Sequence, residues 1–182
     1  MTQPRKRERV GTTVRIRPAR PRDTASLVRM RRALWPEGSA AEHRSELVRF
    51  FRGRSREPLG VLIAETDRGR PVGFAEVSIR AYAEDCRTDR IGFLEGWWVA
   101  PGERRKGVGR KLVAAAEGWA RKRRCLEFAS DALPDNRVSI AAHRALGFAD
   151  AGTVVCFRKD LPRRSAQESR RVGSRVATLE EG

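Results

Sequence analysis

The chain has 182 residues, 40% hydrophobic and 34% charged, with 39 Lys and Arg against 23 Asp and Glu and a net charge of +16. That length fits one domain with a proper core; no apolar run is long enough for a membrane span, and the basic N-terminus lacks the apolar stretch of a secretory signal. Cys86, Cys125 and Cys156 are far apart without C-x-x-C spacing, and His43 and His143 are the only histidines, so a disulfide framework and a metal site are not expected and reduced thiols in a cytoplasmic protein are.

Met1 to Thr13 is basic and without apolar pattern, and reads as a mobile tail. Val14 and Ile16 alternate with Arg15 and Arg17 and predict a strand ending at Pro18. Asp23 is a good N-cap for a helix whose buried face is Leu27, Met30 and Leu34 and which ends before Pro36. Ser39-x-x-Glu42 is a capping-box pattern, with Leu47, Phe50 and Phe51 on one side of a second helix running to about Arg52. Gly60 to Ala64 and Val72 to Ile79 predict a hairpin turning at Asp67 to Arg70, with Ala75, Val77 and Ile79 on one face. Tyr82 to Arg90 is an acidic loop. Phe93 to Val99 predicts a buried strand that stops at Pro101. Leu112, Val113, Ala116 and Trp119 recur at helical spacing. Cys125 to Ser130 is a further strand. Leu133 to Asn136 starts a helix with Ile140 and Leu146 inward, closed by Gly147, and Thr153 to Phe157 is a last strand. Leu161 to Gly182 is polar and reads as disordered. The order β-α-α-β-β-β-α-β-α-β gives an α/β (α+β) fold with a mixed sheet, residues 14–160 forming one domain between tails 1–13 and 161–182.

The chain is organised around the strand, turn and helix from Phe93 to Val113. Gly102 to Gly109 combines three glycines with basic side chains at the start of a helix, where unpaired N–H groups and the helix dipole favour an anion. It is neither a P-loop, since Gly107 is not followed by Lys and Ser/Thr, nor a dinucleotide fingerprint, since the third glycine is missing at Leu112. What remains is Arg104-x-x-Gly107-x-Gly109.

That spacing resembles the Arg/Gln-x-x-Gly-x-Gly/Ala motif of the GNAT superfamily of N-acetyltransferases. The strings Leu34-Trp35-Pro36, Gly73-Phe74-Ala75, Ser78-Ile79-Arg80, Tyr82, Phe93-Leu94-Glu95-Gly96, Ala129-Ser130-Asp131, Asn136 and His143-Arg144-Ala145-Leu146-Gly147-Phe148 resemble the aminoglycoside 6'-N-acetyltransferases, over about Val14 to Lys159. The resemblance implies the GNAT fold, a mixed, mostly antiparallel central sheet flanked by helices, in which strands four and five splay to admit the pantetheine arm of acetyl-coenzyme A. It implies acetyl-CoA as co-substrate, no metal, a homodimer, and a role in antibiotic resistance. By the same resemblance the main chain of Trp97, Trp98 and Val99 holds the pantetheine, Arg104, Arg105, Lys106, Gly107, Val108, Gly109 and Arg110 surround the pyrophosphate, and Asn136 hydrogen-bonds the pantetheine arm. Trp35, Tyr82, Glu95 and Asp131 match positions that contact the aminoglycoside. Each has a plainer reading beside it: Asn136 and Asp131 as caps, Trp35 over a helix end, Tyr82 as a loop anchor, and the paired tryptophans as packing.

Glu95 is costly inside an apolar strand, so it pairs with an arginine or faces a polar site. Asp131 follows the neighbouring strand under this fold. Together with Glu76, Glu84, Asp85, Asp89 and Asp135 they line a slot suited to a polycation. Asp131, nearer water, is assigned as the base that takes the proton of the acceptor amine, and Glu95 as the anchor for its ammonium and a base through water. Two departures from the family stand out. The acidic contact expected after Gly-Phe is missing unless Asp150 supplies it. The only tyrosine is Tyr82, so no tyrosine in the last strands is present to protonate the leaving thiolate, and Phe157 cannot.

Two other readings compete: a GNAT enzyme acting on a polyamine, a protein N-terminus or an aminoacyl-tRNA, and a non-catalytic basic nucleic-acid-binding protein. The +16 charge favours a polyanionic partner or is a compositional arginine bias. The nucleic-acid reading ranks last, because it explains neither the glycine spacing nor Glu95.

Overall fold

The computed structural model describes residues 13–161. All but one residue of each expected tail, Thr13 and Leu161, lies outside this range. The sheet runs β1 (Val14–Pro18), β2 (Gly60–Thr66), β3 (Pro71–Arg80), β4 (Ile91–Val99) and β5 (Glu127–Ser130), in spatial order β1-β2-β3-β4-β5. The first three junctions are antiparallel and the β4–β5 junction is parallel. A parallel pair needs a crossover, which α3 (Val108–Arg121) supplies. The other helices are α1 (Thr24–Leu34), α2 (Ala40–Phe51) and α4 (Arg137–Ala145). The sheet is mixed, as the order of elements predicts, and mostly antiparallel with flanking helices, as the family resemblance implies.

Period-two alternation feeds two cores from the same strands. Leu62, Ala64, Ala75 and Val77 turn to one face and pack with Leu112, Val113 and Ala116 of α3. Val61, Ile63 and Phe74 turn to the other and pack with Leu27, Met30 and Leu47 of α1 and α2. On β4 the alternation is reset. Glu76 pairs with Gly96 and Val77 with Leu94, so Glu95 is the extra residue of a β-bulge. The insertion lets both Leu94 and Trp97 join the α3 side, which strict alternation forbids for residues an odd number apart.

Among the described residues, each buried carboxylate and guanidinium is paired. Arg31, 2% exposed, grips Glu76 with Nε–Oε1 2.6 Å and Nη2–Oε2 2.7 Å, and also reaches Glu46 at 2.7 Å. Burial pushes the Glu76 carboxyl up, and the Arg31 fork opposes that shift. Glu65 bridges Arg17 and Arg15, each at 2.6 Å, which holds its pKa down to about 2.

The Ser39–Glu42 capping box forms as expected, with Glu42 N–H donating to Ser39 Oγ at 3.2 Å and Ser39 N–H to Glu42 Oε2 at 2.8 Å. Three expectations need correction. Asp23 does not cap α1 with its side chain. Its carboxylate instead accepts Arg20 N–H at 2.7 Å and both ends of the Arg17 fork, closing the short turn Pro21–Asp23. Leu146 packs against the α3-side core as expected, but Ile140 is only half-buried and joins no core cluster, and α4 has no fully buried residue. The strand expected at Thr153 to Phe157 is not formed. The chain divides at Gly152, and the described residues beyond it, 153–161, carry no regular structure. The consecutive β-branched residues Thr153, Val154 and Val155 make a segment fit for a strand, but a strand exists only through its ladder. This segment has no ladder partner among the described residues, and Phe157 is 93% exposed.

Candidate active site

The β4–β5 ladder stops early. Its last pair is Leu94 with Ser130, while β4 continues to Val99. Ala100 N–H donates to Val72 O on β3 at 2.8 Å. Alternation along an antiparallel strand then turns the Trp98 amide groups toward β3 and those of Trp97 and Val99 toward the edge that β5 has left. The Val99 carbonyl on that edge is engaged by Arg104 Nε at 3.0 Å. Main-chain N–H and C=O of Trp97 and N–H of Val99 therefore lie on the strand edge beyond the last β4–β5 pair, without a ladder partner among the described residues. The indoles pack in opposite directions, Trp97 with the α3 core and Trp98 with the α1–α2 core.

At the end of β4 the chain turns through Pro101–Glu103 into α3. Gly107 is the N-cap with φ +81°, a backbone that favours glycine, and the first helical bond closed is Lys111 N–H to Gly107 O at 3.1 Å. The N–H groups of Val108, Gly109 and Arg110 precede it and have no helical acceptor. Glu103 accepts Lys106 Nζ at 3.1 Å and Arg70 at 2.9 Å, and the Lys106 contact leads in drawing its carboxyl down. Arg105, at φ +58°, and Arg110 are exposed and have no carboxylate partner among the described residues. The turn therefore offers unpaired N–H groups and free cations to an anion. Gly109 has a different reason for being glycine than close approach to a ligand: a Cβ there would stand 2.4 Å from Trp97 Cζ3.

The two candidate carboxylates are the residues immediately beyond the last ladder pair, Glu95 after Leu94 and Asp131 after Ser130. The arginine reading of Glu95 holds. Its carboxylate takes Arg80 Nη2 at 2.6 Å and Nε at 3.2 Å and the Ser78 hydroxyl, and it sits where the strands part. Arg80 in turn lies over the Phe93 ring at 3.5 Å. Asp131 is exposed and has no ion-pair or hydrogen-bond partner among the described residues.

Trp35 ends α1 and comes to this site. Its indole meets Gly96, beside Glu95, so closely that a Cβ on Gly96 would fall 2.4 Å from Trp35 Cζ2. Phe74 packs edge-on at 6.0 Å and the Arg31 guanidinium at 5.8 Å. Tyr82, 71% exposed, opens the 81–90 loop, which is pinned by buried Ala83 and by Glu127 accepting Arg87 N–H and the Thr88 N–H and hydroxyl. Tyr82 is thus not the loop's anchor. Asn136 caps α4, its Oδ1 accepting Ser139 N–H at 3.0 Å. Its amide nitrogen has no partner among the described residues.

Of the other acidic residues, Glu84, Asp85, Asp89 and Asp135 are exposed, and Glu76 is withdrawn from the slot by Arg31. Asp150 is held by Arg144 at 2.5 and 3.0 Å, so it is not a free acidic contact. The residues that sequence reasoning missed are the partners: Ser78 and Arg80 for Glu95, Gly96 for Trp35, and Ser130 and His143 at the strand parting. A charged residue in an apolar strand signals that a partner exists, but two residues across a ladder have no sequence spacing to reveal them. An open basin of about 530 Å³ lies at the other end of α3. Its lining of Arg90, Lys122, Arg123 and Arg124 does not suit a polycation.

The description "Acetyltransferase (GNAT) family" matches residues 27–148. An aminoglycoside N(6')-acetyltransferase type 1 of Klebsiella aerogenes is 51% identical over 146 residues, 80% of this chain and 96% of the relative. The enzyme of the same name from Stenotrophomonas maltophilia is 38% identical, over 84% of this chain and 97% of its own length. Among solved structures, aminoglycoside N-acetyltransferase AAC(6')-Iy in complex with CoA superposes with a TM-score of 0.77 at 32% identity, covering 83% of this chain and 97% of that one. AAC(6')-Iy in complex with the bisubstrate analogue CoA-S-monomethyl-acetylneamine gives 0.76 at 32% identity, with 82% of this chain and all of that one covered.

Proposed function

The chain belongs to the GNAT acetyltransferase family, and from that premise we propose that it is an acetyl-CoA-dependent N-acetyltransferase acting on the 6'-amine of aminoglycosides. The observation that carries the reading is the parting of β4 and β5. One gap combines a strand edge of unpaired amides, a basic helix N-terminus, and two carboxylates at the first positions past the ladder. An acyl-pantetheine arm fits the first, a pyrophosphate the second and a polycationic acceptor the third.

Acetyl-CoA supplies the acetyl group: a C–N bond forms to the acceptor amine, the C–S bond breaks, and a thiolate departs. The amine must lose a proton to expose its lone pair. Asp131 is the base in this reading, because it is exposed and has no cation partner among the described residues, so it can take the proton and pass it to water. Glu95 is held by Arg80 and Ser78, which fits an anchor better than a mobile base. In this reading Trp35, packed against Gly96, and Tyr82, on the exposed 81–90 loop, serve as walls for the sugar rings. Asn136 Nδ2, Arg105 and Arg110 complete the coenzyme A contacts. With Tyr82 as the only tyrosine, thiolate release draws its proton from solvent or from the new amide's ammonium precursor.

A cytoplasmic homodimer that confers aminoglycoside resistance belongs to the same reading, and light scattering and inhibitory concentrations in an expressing host check those two points. The activity itself is tested by acetyl transfer to matched aminoglycosides bearing a 6'-amine or a 6'-hydroxyl. Transfer confined to the amine is expected. Equal rates move the reaction to another amine, and no transfer to either removes the aminoglycoside as acceptor.

A further inference from the structure

We propose that Ser130 and His143 act as a positioning pair that fixes where β4 and β5 part, and with it the separation of Glu95 from Asp131. The inference rests on the reading of that gap as the acetyl-transfer slot. Ser130 is the last residue of β5, and its Oγ lies 3.0 Å from Leu94 O, its partner in the last pair of the ladder. The bond therefore crosses the sheet at the point of opening. The next residue on one side is Glu95 and on the other Asp131. A hydroxyl in this place sets the spacing of the two carboxylates more directly than any other side chain among the described residues.

His143, on α4, holds that hydroxyl. Its Nε2 is 3.0 Å from Ser130 Oγ and its Nδ1 is 2.8 Å from Ser139 O. A carbonyl only accepts, so Nδ1 carries a proton. In the neutral ring Nε2 accepts, and the one hydroxyl proton of Ser130 has two acceptors, Leu94 O and His143 Nε2. In the imidazolium Nε2 donates to Oγ and leaves the hydroxyl proton to Leu94 O. Oγ is held in both states. The ring stands edge-on to Trp97 at 6.1 Å and to Phe148 at 5.2 Å, which restricts its swing. Trp97 is itself packed against Gly109 of α3 and contributes main-chain groups to the slot edge. This polar tie links α4 to the parting strands beside the apolar contacts of Leu146 and Phe148. Neither residue reaches the reacting atoms; both act through Leu94, Glu95 and Asp131.

The test compares Ser130→Ala, Ser130→Thr, His143→Ala and the Ser130→Ala/His143→Ala double variant in the full chain. It measures kcat and both KM values, together with coenzyme A affinity by calorimetry without acceptor. Ser130→Ala is expected to lower kcat about tenfold, the scale of sub-ångström misplacement, and to weaken coenzyme A about threefold, while Ser130→Thr keeps the hydroxyl and restores both. The double variant is expected to lose no more than about twofold beyond Ser130→Ala, because the two residues act as one unit. Wild-type kcat and coenzyme A affinity in Ser130→Ala overturn the proposal. So does a Ser130→Thr variant as impaired as Ser130→Ala, or losses that simply multiply. If the wild type acetylates no aminoglycoside yet coenzyme A affinity still follows this pattern, the acceptor reading fails and the positioning pair stands.

Discussion

Trp35 and Gly96 are in such close contact that a Cβ on Gly96 would stand 2.4 Å from Trp35 Cζ2. Phe74 and Arg31 border the indole, so it has little room to retreat. Gly96→Ala should push the ring out of its place beside Glu95. The expected result is a KM for the aminoglycoside raised about tenfold with coenzyme A affinity unchanged, the mark of lost ground-state contacts to one substrate. An unchanged KM takes Trp35 out of the acceptor site.

The two glycines of the basic turn should behave differently. Gly107 has a left-handed backbone with open space around it, so Gly107→Ala costs about 1–2 kcal/mol of backbone strain and no clash. Gly109→Val instead drives into the Trp97 ring, and overpacking of this kind costs about 1–3 kcal/mol or more. The sequence motif alone suggests that a bulky residue at Gly109 blocks the pyrophosphate while sparing the fold. The contact with Trp97 predicts that stability and coenzyme A binding fall together, which urea unfolding beside calorimetry resolves.

The Arg31–Glu76 pair makes a stability prediction. Arg31→Ala strands a buried carboxylate and should destabilise by about 3–5 kcal/mol. An Arg31→Met/Glu76→Leu double variant removes both charges and should recover most of that loss. Urea unfolding that shows the double variant as unstable as Arg31→Ala assigns the pair a role beyond mutual neutralisation.

Acid stability should depend on Glu65. Its pKa of about 2 is lowered first by the Arg17 hydrogen bond and then by Arg15, from an ordinary value of 4.5. The folded state thus binds its proton less readily than the unfolded chain, so its contribution is full above about pH 4.5 and is lost as pH falls toward 2. Glu65→Gln should flatten the decline of melting temperature in that window. An undiminished decline in the variant assigns it to other carboxylates, such as Asp23, whose pKa is also lowered by Arg17.

Elements defined by local chemistry were legible in the sequence. The Ser39–Glu42 box, the Trp35–Pro36 helix end and the strand stop at Pro101 each follow from neighbouring residues, and each is found. Elements defined by distant partners were not. The Glu95 bulge exists only through the offset of Glu76 and Val77 across the ladder. Asp23 looks like a cap by type, yet Arg17 and Arg20 claim its carboxylate. Thr153 to Phe157 has strand composition, and composition does not supply a partner. At the site, motif and resemblance point to Glu95, Asp131 and the basic turn, but the hydrogen bonds that distinguish a clamped Glu95 from an unpaired Asp131 are invisible to spacing.

That distinction is the centre of the account, and kcat for acetyl transfer to a 6'-amino aminoglycoside tests it most directly. Asp131→Ala should lower kcat by about 10²-fold or more, since the loss of a general base appears in the chemical step. Glu95→Gln should chiefly raise KM for the aminoglycoside, because an anchor for the ammonium is lost. Near-normal kcat in Asp131→Ala, together with abolished kcat in Glu95→Gln, contradicts the assignment and transfers the base to Glu95.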